Sequence, residues 1–309
     1  MSCRPDTMRS MNIVISGASG LIGTALTASL KAQGHRPIAL VRRSTKAGAD
    51  EISWDPAAGT VDATSLEGAD AVVHLAGAGI GDKKWSDDRK RVILESRTKG
   101  TTLLADVLAG LSAKPSVLIS SSGIGYYGSQ GDSVLTESDP AGHGFLADVC
   151  VDWEAATSSA SDAGIRTALA RTSAVMSERG GALKKQLLLF KLGLGGRFGS
   201  GNQWLSWISL ADEIRAIEFL INNDISGPVN LCTPNPVTNL QFTKALGGVL
   251  KRPTLLPVPL FGPKLLFGDE LVDQLILASQ KVWPSVLTEA GFIFEDPELE
   301  PALRRILKK

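Results

Sequence analysis

Three glycines separate a short apolar run, Asn12–Ser16, from a helical stretch beginning at Leu21, in the order Gly17-Ala-Ser-Gly20-Leu-Ile-Gly23. Glycine is required where the backbone turns with positive φ, where it must come close to a ligand, and where a helix packs tightly on a strand. A helix that starts at such a turn presents free N–H groups and the positive end of its dipole to phosphate. The spacing, with a strand before it and an amphipathic helix after it, predicts a dinucleotide cradle at Gly17, Ser19, Gly20, Leu21, Ile22 and Gly23.

The pattern then repeats. Pro37 to Val41, Asp70 to Leu75, Ser116 to Ile119 and Thr167 to Ala170 are short apolar runs separated by helical stretches at Asp88 to Leu108 and Asp148 to Asp162. Such alternation predicts an α/β fold, a doubly wound parallel Rossmann-type sheet covered on both faces. Past Val175 the glycines at 180, 181, 193, 195, 196, 199 and 201 crowd a segment with Lys184, Lys185, Lys191 and Arg197. It reads as a loop-rich, partly basic cap. A strand and helix at Trp207 to Asn222 and a strand at Pro228 to Leu231 return to the sheet. From Arg252 onward, four prolines in PTLLPVPLFGP speak against a regular element, and a helix is expected over Asp269 to Val282. The expected organisation is a flexible tail at 1–10 and a nucleotide-binding domain at 11–175, joined by 205–232. Residues 176–204 and 233–309 form a smaller substrate-side subdomain.

Arg42 and Arg43 follow the second strand, where an acidic residue would favour NAD and an arginine would pair with the 2′-phosphate of NADP. A guanidinium matches phosphate oxygens with its forked donors, so NADP is the expected cofactor. With thirty-two Lys and Arg against thirty-two Asp and Glu, the whole chain carries no net charge to suit nucleic acid or an anionic membrane. A small-molecule partner is expected, with an anionic substrate among the candidates. Cys3, Cys150 and Cys232 are scattered and odd in number, which suits a reducing, cytoplasmic setting, and no secretory signal or long apolar run is visible.

The blocks S-G-A-S-G-L-I-G, V-V-H-L-A-G-A at Val72 to Ala78 and I-S-S-S at Ile119 to Ser122 resemble the extended short-chain dehydrogenase/reductases, which include nucleotide-sugar epimerases. Further segments are similar to an atypical, epimerase-like branch with a C-terminal domain of uncharacterised function. They are Ser53 to Pro56, Ser96–Arg97, Gly125 to Gly128, Trp153–Glu154, Leu192 to Gly196, Gly199 to Trp204, Trp207–Ile208 and Pro236 to Asn239. The resemblance spans Met11 to about Leu307. It implies that Leu75, Ala76, Gly77, Arg97 and Ser120 adjoin the cofactor, that Ser122 is the serine that positions the reacting oxygen, and that a homodimer is compatible with the fold.

The Tyr-x-x-x-Lys pair of that superfamily is missing. Tyr126 and Tyr127 are the only tyrosines, and Gln130 and Gly131 stand four positions after them. On the corresponding helix Leu146 and Cys150 occupy the tyrosine and lysine positions. Candidate proton carriers are therefore Ser122, Tyr126 and Cys150; Ser122 contacts a substrate oxygen or only bonds nearby backbone groups. Cys150 serves as acid or nucleophile if Arg97 lowers its pKa, or is simply a buried thiol; Tyr126 swings toward the nicotinamide or packs as an aromatic. His74 lies inside an apolar strand and reads as core or cofactor wall. Lys184, Lys185, Lys191 and Arg197, with Gln203, Trp204 and Trp207, line an anionic-substrate pocket or are solvated surface. The expected function is an NADP-dependent oxidoreductase or epimerase-like enzyme; the alternative is a catalytically silent NADP-binding sensor.

Overall fold

The computed structural model describes residues 9–46 and 48–309. Most of the expected N-terminal tail lies outside them. In chain order the main elements are β1 (Asn12–Ser16), α1 (Leu21–Ala32), β2 (Arg36–Val41), β3 (Glu51–Asp55), β4 (Thr60–Val61), β5 (Ala71–His74), α2 (Asp87–Gly110), β6 (Val117–Gly123) and α3 (Phe145–Ala155). They continue with β7 (Arg166–Thr172), β8 (Ala174–Met176), α4 (Gly181–Lys191), β9 (Trp207–Ser209), α5 (Leu210–Asn222), β10 (Gly227–Leu231), α6 (Asn239–Leu250), α7 (Phe261–Phe267) and α8 (Leu299–Leu307).

Eight strands form one sheet in the order β10-β7-β6-β5-β1-β2-β3-β4. All neighbours pair parallel except the β3–β4 edge. The fold is α/β with a mostly parallel, Rossmann-like sheet and a small C-terminal region. Parallel strands need helical crossovers, so both faces are covered and the central strands read as unbroken apolar runs. Ile13 and Ile15 face one core with Leu26, Leu30 and Ile217, while Val14 faces the other with Val72, Leu104 and Leu118. Each buried Leu or Ile contributes roughly 1.5–3 kcal/mol. The order of strands reverses between β1 and β5, and in such sheets the ligand crevice opens outside the carboxyl ends of the strands at that point.

Several local expectations need correction. The glycine-rich segment is not all loop, because Gly181–Lys191 is a helix whose Leu183, Leu187 and Phe190 are buried at i, i+4 and i+7. Proline does not exclude α7, since Pro263 is its third residue, where no intrahelical N–H is needed. The helix expected over Asp269 to Val282 ends at Ile276, and Lys281–Val282 pairs as a strand with Val134–Leu135. Tertiary bonds override local preference there: Gln280 Nε2 donates to the carbonyls of Ile124 and Gly128, at 2.8 and 3.0 Å.

Candidate functional site

Gly17 ends β1 with φ +68°, and a Cβ there would sit 2.9 Å from the Leu75 carbonyl group. A Cβ on Gly23 would overlap the Gly17 carbonyl oxygen and Ala18 Cα. The turn is therefore closed to any larger residue at both positions. Gly20 caps α1 without a side-chain bond, and no acidic side chain occupies the first turn, so the N–H groups beginning at Leu21 and Ile22 are available to an anion. Ser19 and Gly20 are exposed at the mouth. This is a cradle that a Cβ would fill, and it fits a pyrophosphate.

The opposite wall is the backbone of Leu75 to Gly77. Ser16 Oγ accepts the Leu75 and Ala76 N–H groups at 3.0 and 3.2 Å and lies 2.6 Å from His74 Nδ1. With two donors already on it, the hydroxyl donates to the imidazole, and burial holds His74 down to about 4, so the ring is neutral. His74 thus shapes the wall without acting as a base. Arg97 pins the same loop from beneath. Its guanidinium donates to the carbonyls of Ala78 and Ile93, both at 3.0 Å, and stacks 4.8 Å over the Trp153 ring. A Cβ on Gly77 would lie 3.3 Å from its Cζ. Ser120, beside His74 in register, is buried with no partner for its hydroxyl among the described residues.

The two arginines after β2 differ. Arg43 forms a bidentate pair with Glu51 on β3, at 2.5 and 3.0 Å, so it is already engaged. Arg42 is exposed and makes no ion pair among the described residues. The expected joint role for both therefore narrows to Arg42.

Ser122 lies near the end of β6, on the face covered by α3. Leu146, Cys150 and Glu154 follow one another along α3 at i, i+4 and i+8, so the face that was expected to offer only Leu146 and Cys150 carries a carboxylate one turn further on. Ser122 Oγ donates to Glu154 Oε1 at 2.6 Å. Arg171, opposite Ser122 in the β6–β7 register, donates through Nε and Nη2 to both Glu154 oxygens at 2.8 Å. Its Nη1 donates to Tyr127 Oη at 3.0 Å, and Tyr127 donates to Asn230 Oδ1 at 2.7 Å. Burial opposes the Arg171 charge, but its bonds to Glu154 outweigh that and raise its pKa. Glu154 and Arg171 escaped the sequence reading as site residues. The only signal was the i, i+4, i+8 spacing, because the strand register that supplies Arg171 is not a local property.

The other two proton-carrier candidates fare differently. The Cys150 thiol is pushed up to about 11, chiefly by burial and then by Glu154; the Arg97 charge pulls the other way and does not prevail. It donates weakly to the Gly123 carbonyl at 3.6 Å, so the expected activation by Arg97 is absent. Tyr126 is half-buried with the Arg171 guanidinium 3.4 Å over its ring, a packing role beside Ser122. On the other sheet face, Thr172 Oγ1 donates to Glu213 Oε1 at 2.9 Å. The second Glu213 oxygen is buried without a partner among the described residues, and burial raises this carboxyl to about 8.

Helix α4 closes over the cradle. A Cβ on Gly180 would meet the Leu21 side chain at 3.3 Å, and Lys185 Nζ donates to the Gly81 carbonyl and Asp82, at 2.7 and 3.1 Å. The basic group does not assemble into one pocket. Arg197 is spent on the carbonyls of Gly199 and Ser200, Trp207 is buried with its Nε1 on Asn235, and Trp204 bonds Asp132, while Gln203 donates to Phe198. Lys184 and Lys191 point to solvent.

Residues 13–232 match the NAD dependent epimerase/dehydratase family, and residues 258–306 match a domain of unknown function, DUF1731. The chain belongs to this epimerase family. It is 45% identical over 292 residues to an epimerase family protein, Mb2239, of Mycobacterium bovis, covering 94% of this chain and 96% of that one. It is 35% identical over 322 residues to the chloroplastic SDR39U1 homologue of Arabidopsis thaliana, covering 99% and 89%. Its fold superposes on the crystal structure of human SDR39U1 (isoform 2) with NADPH at a TM-score of 0.88, with 30% identity, 97% of this chain and 100% of that one. Among the described residues, no helix is long and apolar enough to cross a membrane.

Proposed function

We propose that this epimerase-family protein is an NADP(H)-dependent oxidoreductase or epimerase that moves its proton through Ser122 and Glu154 instead of a tyrosine–lysine pair. The observation that carries this reading is the 2.6 Å bond from Ser122 Oγ to Glu154 Oε1 at the carboxyl edge of the sheet. When bound, the nicotinamide cofactor supplies or accepts the hydride. The Ser122 oxygen retains lone pairs for a substrate hydroxyl. As the substrate gives its hydrogen to Ser122 Oγ, the hydrogen already on Ser122 passes to Glu154; the reverse transfer returns a proton to a carbonyl oxygen. Arg171 orients the carboxylate toward Ser122 and compensates its burial. The cradle of Gly17, Gly20 and Gly23 would hold the pyrophosphate, and Arg42 the 2′-phosphate, which the NADPH in the human relative supports.

The test is turnover of the purified protein with NADPH or NADP over a panel of carbonyl compounds, alcohols and nucleotide sugars, following both redox change and epimer formation. Ser122→Ala loses roughly 10²–10⁴-fold in turnover while NADPH affinity stays near wild type, and Cys150→Ser keeps turnover close to wild type. Full turnover in Ser122→Ala overturns the assignment. Tight NADPH binding with no turnover on any compound favours the silent sensor.

A further inference from the structure

The chain is neutral as a whole, yet its charges are segregated. Residues 179–211 hold five Lys and Arg, residues 225–268 hold four, and neither segment holds a single Asp or Glu. The fold brings the two together. Val258 N donates to the Arg197 carbonyl at 2.9 Å, Phe198 bridges Val258, and Gly196 lies under the Leu256 carbonyl. Along this seam Leu192, Leu194, Leu255, Leu256, Phe261 and Leu265 stand out from the surface, each between 64% and 88% exposed. Helix α7 buries no residue at all, although five of its seven side chains are apolar or proline. Monomeric soluble proteins rarely expose so many adjoining large apolar side chains without a binding role.

We infer that this face of the C-terminal region docks on an anionic lipid bilayer, inserting its leucines and Phe261 among the acyl chains while the surrounding cations meet the headgroups. Lys184, Lys191, Lys251 and Arg252 are exposed and have no acidic partner among the described residues. The acids at the margin, Asp269 and Asp273, are taken up by Lys264 at 3.0 and 3.3 Å. Exposed apolar side chains interspersed with cations are the physical signature of interfacial attachment. A second copy of the chain is a poor occupant, because a two-fold contact sets the same patch against itself and would bring cation against cation. Attachment is from one side only, since no described helix can span a bilayer.

Flotation of the full chain with vesicles tests this, using phosphatidylcholine alone and phosphatidylcholine mixed with phosphatidylglycerol. The protein floats with the anionic vesicles and not with the neutral ones, and high salt weakens the binding. Lys191→Gln and Arg252→Gln each weaken it roughly fivefold. Combined Leu255→Ser, Leu256→Ser and Phe261→Ser abolishes it, whereas Ile293→Ser, an exposed apolar site away from this seam, leaves it intact; unchanged thermal unfolding shows that each variant is folded. Failure of the wild type to float with anionic vesicles overturns the inference, as does flotation that survives the patch substitutions. Self-association in light scattering that the triple variant dissolves would assign the patch to a second copy of the chain, and would equally overturn it.

Discussion

At the scale of single residues, two ionisable groups distinguish themselves by what they lack. Among the described residues Arg42 has no ion-pair partner where Arg43 has Glu51, so the proposed contact with a 2′-phosphate rests on Arg42 alone. Arg42→Ala should weaken NADPH binding by roughly ten- to a hundredfold, the worth of a charge-assisted bond, and leave NADH unchanged. Arg43→Ala should alter both little. Fluorescence titration of the two nucleotides reads this directly, and equal losses for both in Arg42→Ala would refute the contact. Glu213 is the second case. An unfolded chain releases this proton near the ordinary value of 4.5, whereas the folded protein holds it to about 8. The folded state therefore binds more protons between those values, and stability is lost as pH rises through that window. Glu213→Gln keeps an acceptor for Thr172 and cannot titrate. Denaturant unfolding should show the variant gaining on the wild type from pH 4.5 to 8, by an amount on the order of 3–5 kcal/mol at the upper end. A constant difference across that range would show that the carboxyl is not buried as described.

At the scale of elements, what could be read from the sequence follows from how local each signal is. The glycine turn is a continuous stretch whose residues act on their own neighbours, so its close approaches at Gly17 and Gly23 were legible. The central strands were legible because burial on both faces makes them apolar runs. β3 was not, although Ile52 and Trp54 are buried in alternation, because five residues with Glu51 and Asp55 at their ends resemble a loop. Helix α4 was hidden by the glycines that flank it. Along α3, counting from Trp153–Glu154 located Leu146 and Cys150 and made the missing pair visible. The same count stopped one turn short of Glu154, the group proposed to replace it. Cys150 was singled out for its chemistry, but a thiol packed 7% exposed among apolar atoms and beside a carboxylate is made less acidic, and no sequence pattern reports that environment.

At the scale of the whole molecule, the proposed proton path depends on three elements meeting. β6 supplies Ser122, α3 supplies Glu154, and β7 supplies Arg171 through its register with β6. The glycine cradle follows β1, the Leu75–Gly77 backbone follows β5, and Lys185 on α4 bonds the Gly81 carbonyl and Asp82. The most direct test of this account is a double-mutant cycle in single-turnover hydride transfer, comparing Ser122→Ala, Glu154→Gln and the two combined, with thermal unfolding to show that each is folded. If Ser122 and Glu154 form one path, the double variant is no slower than the slower single variant. Losses that multiply would contradict it, because the two residues would then be acting independently.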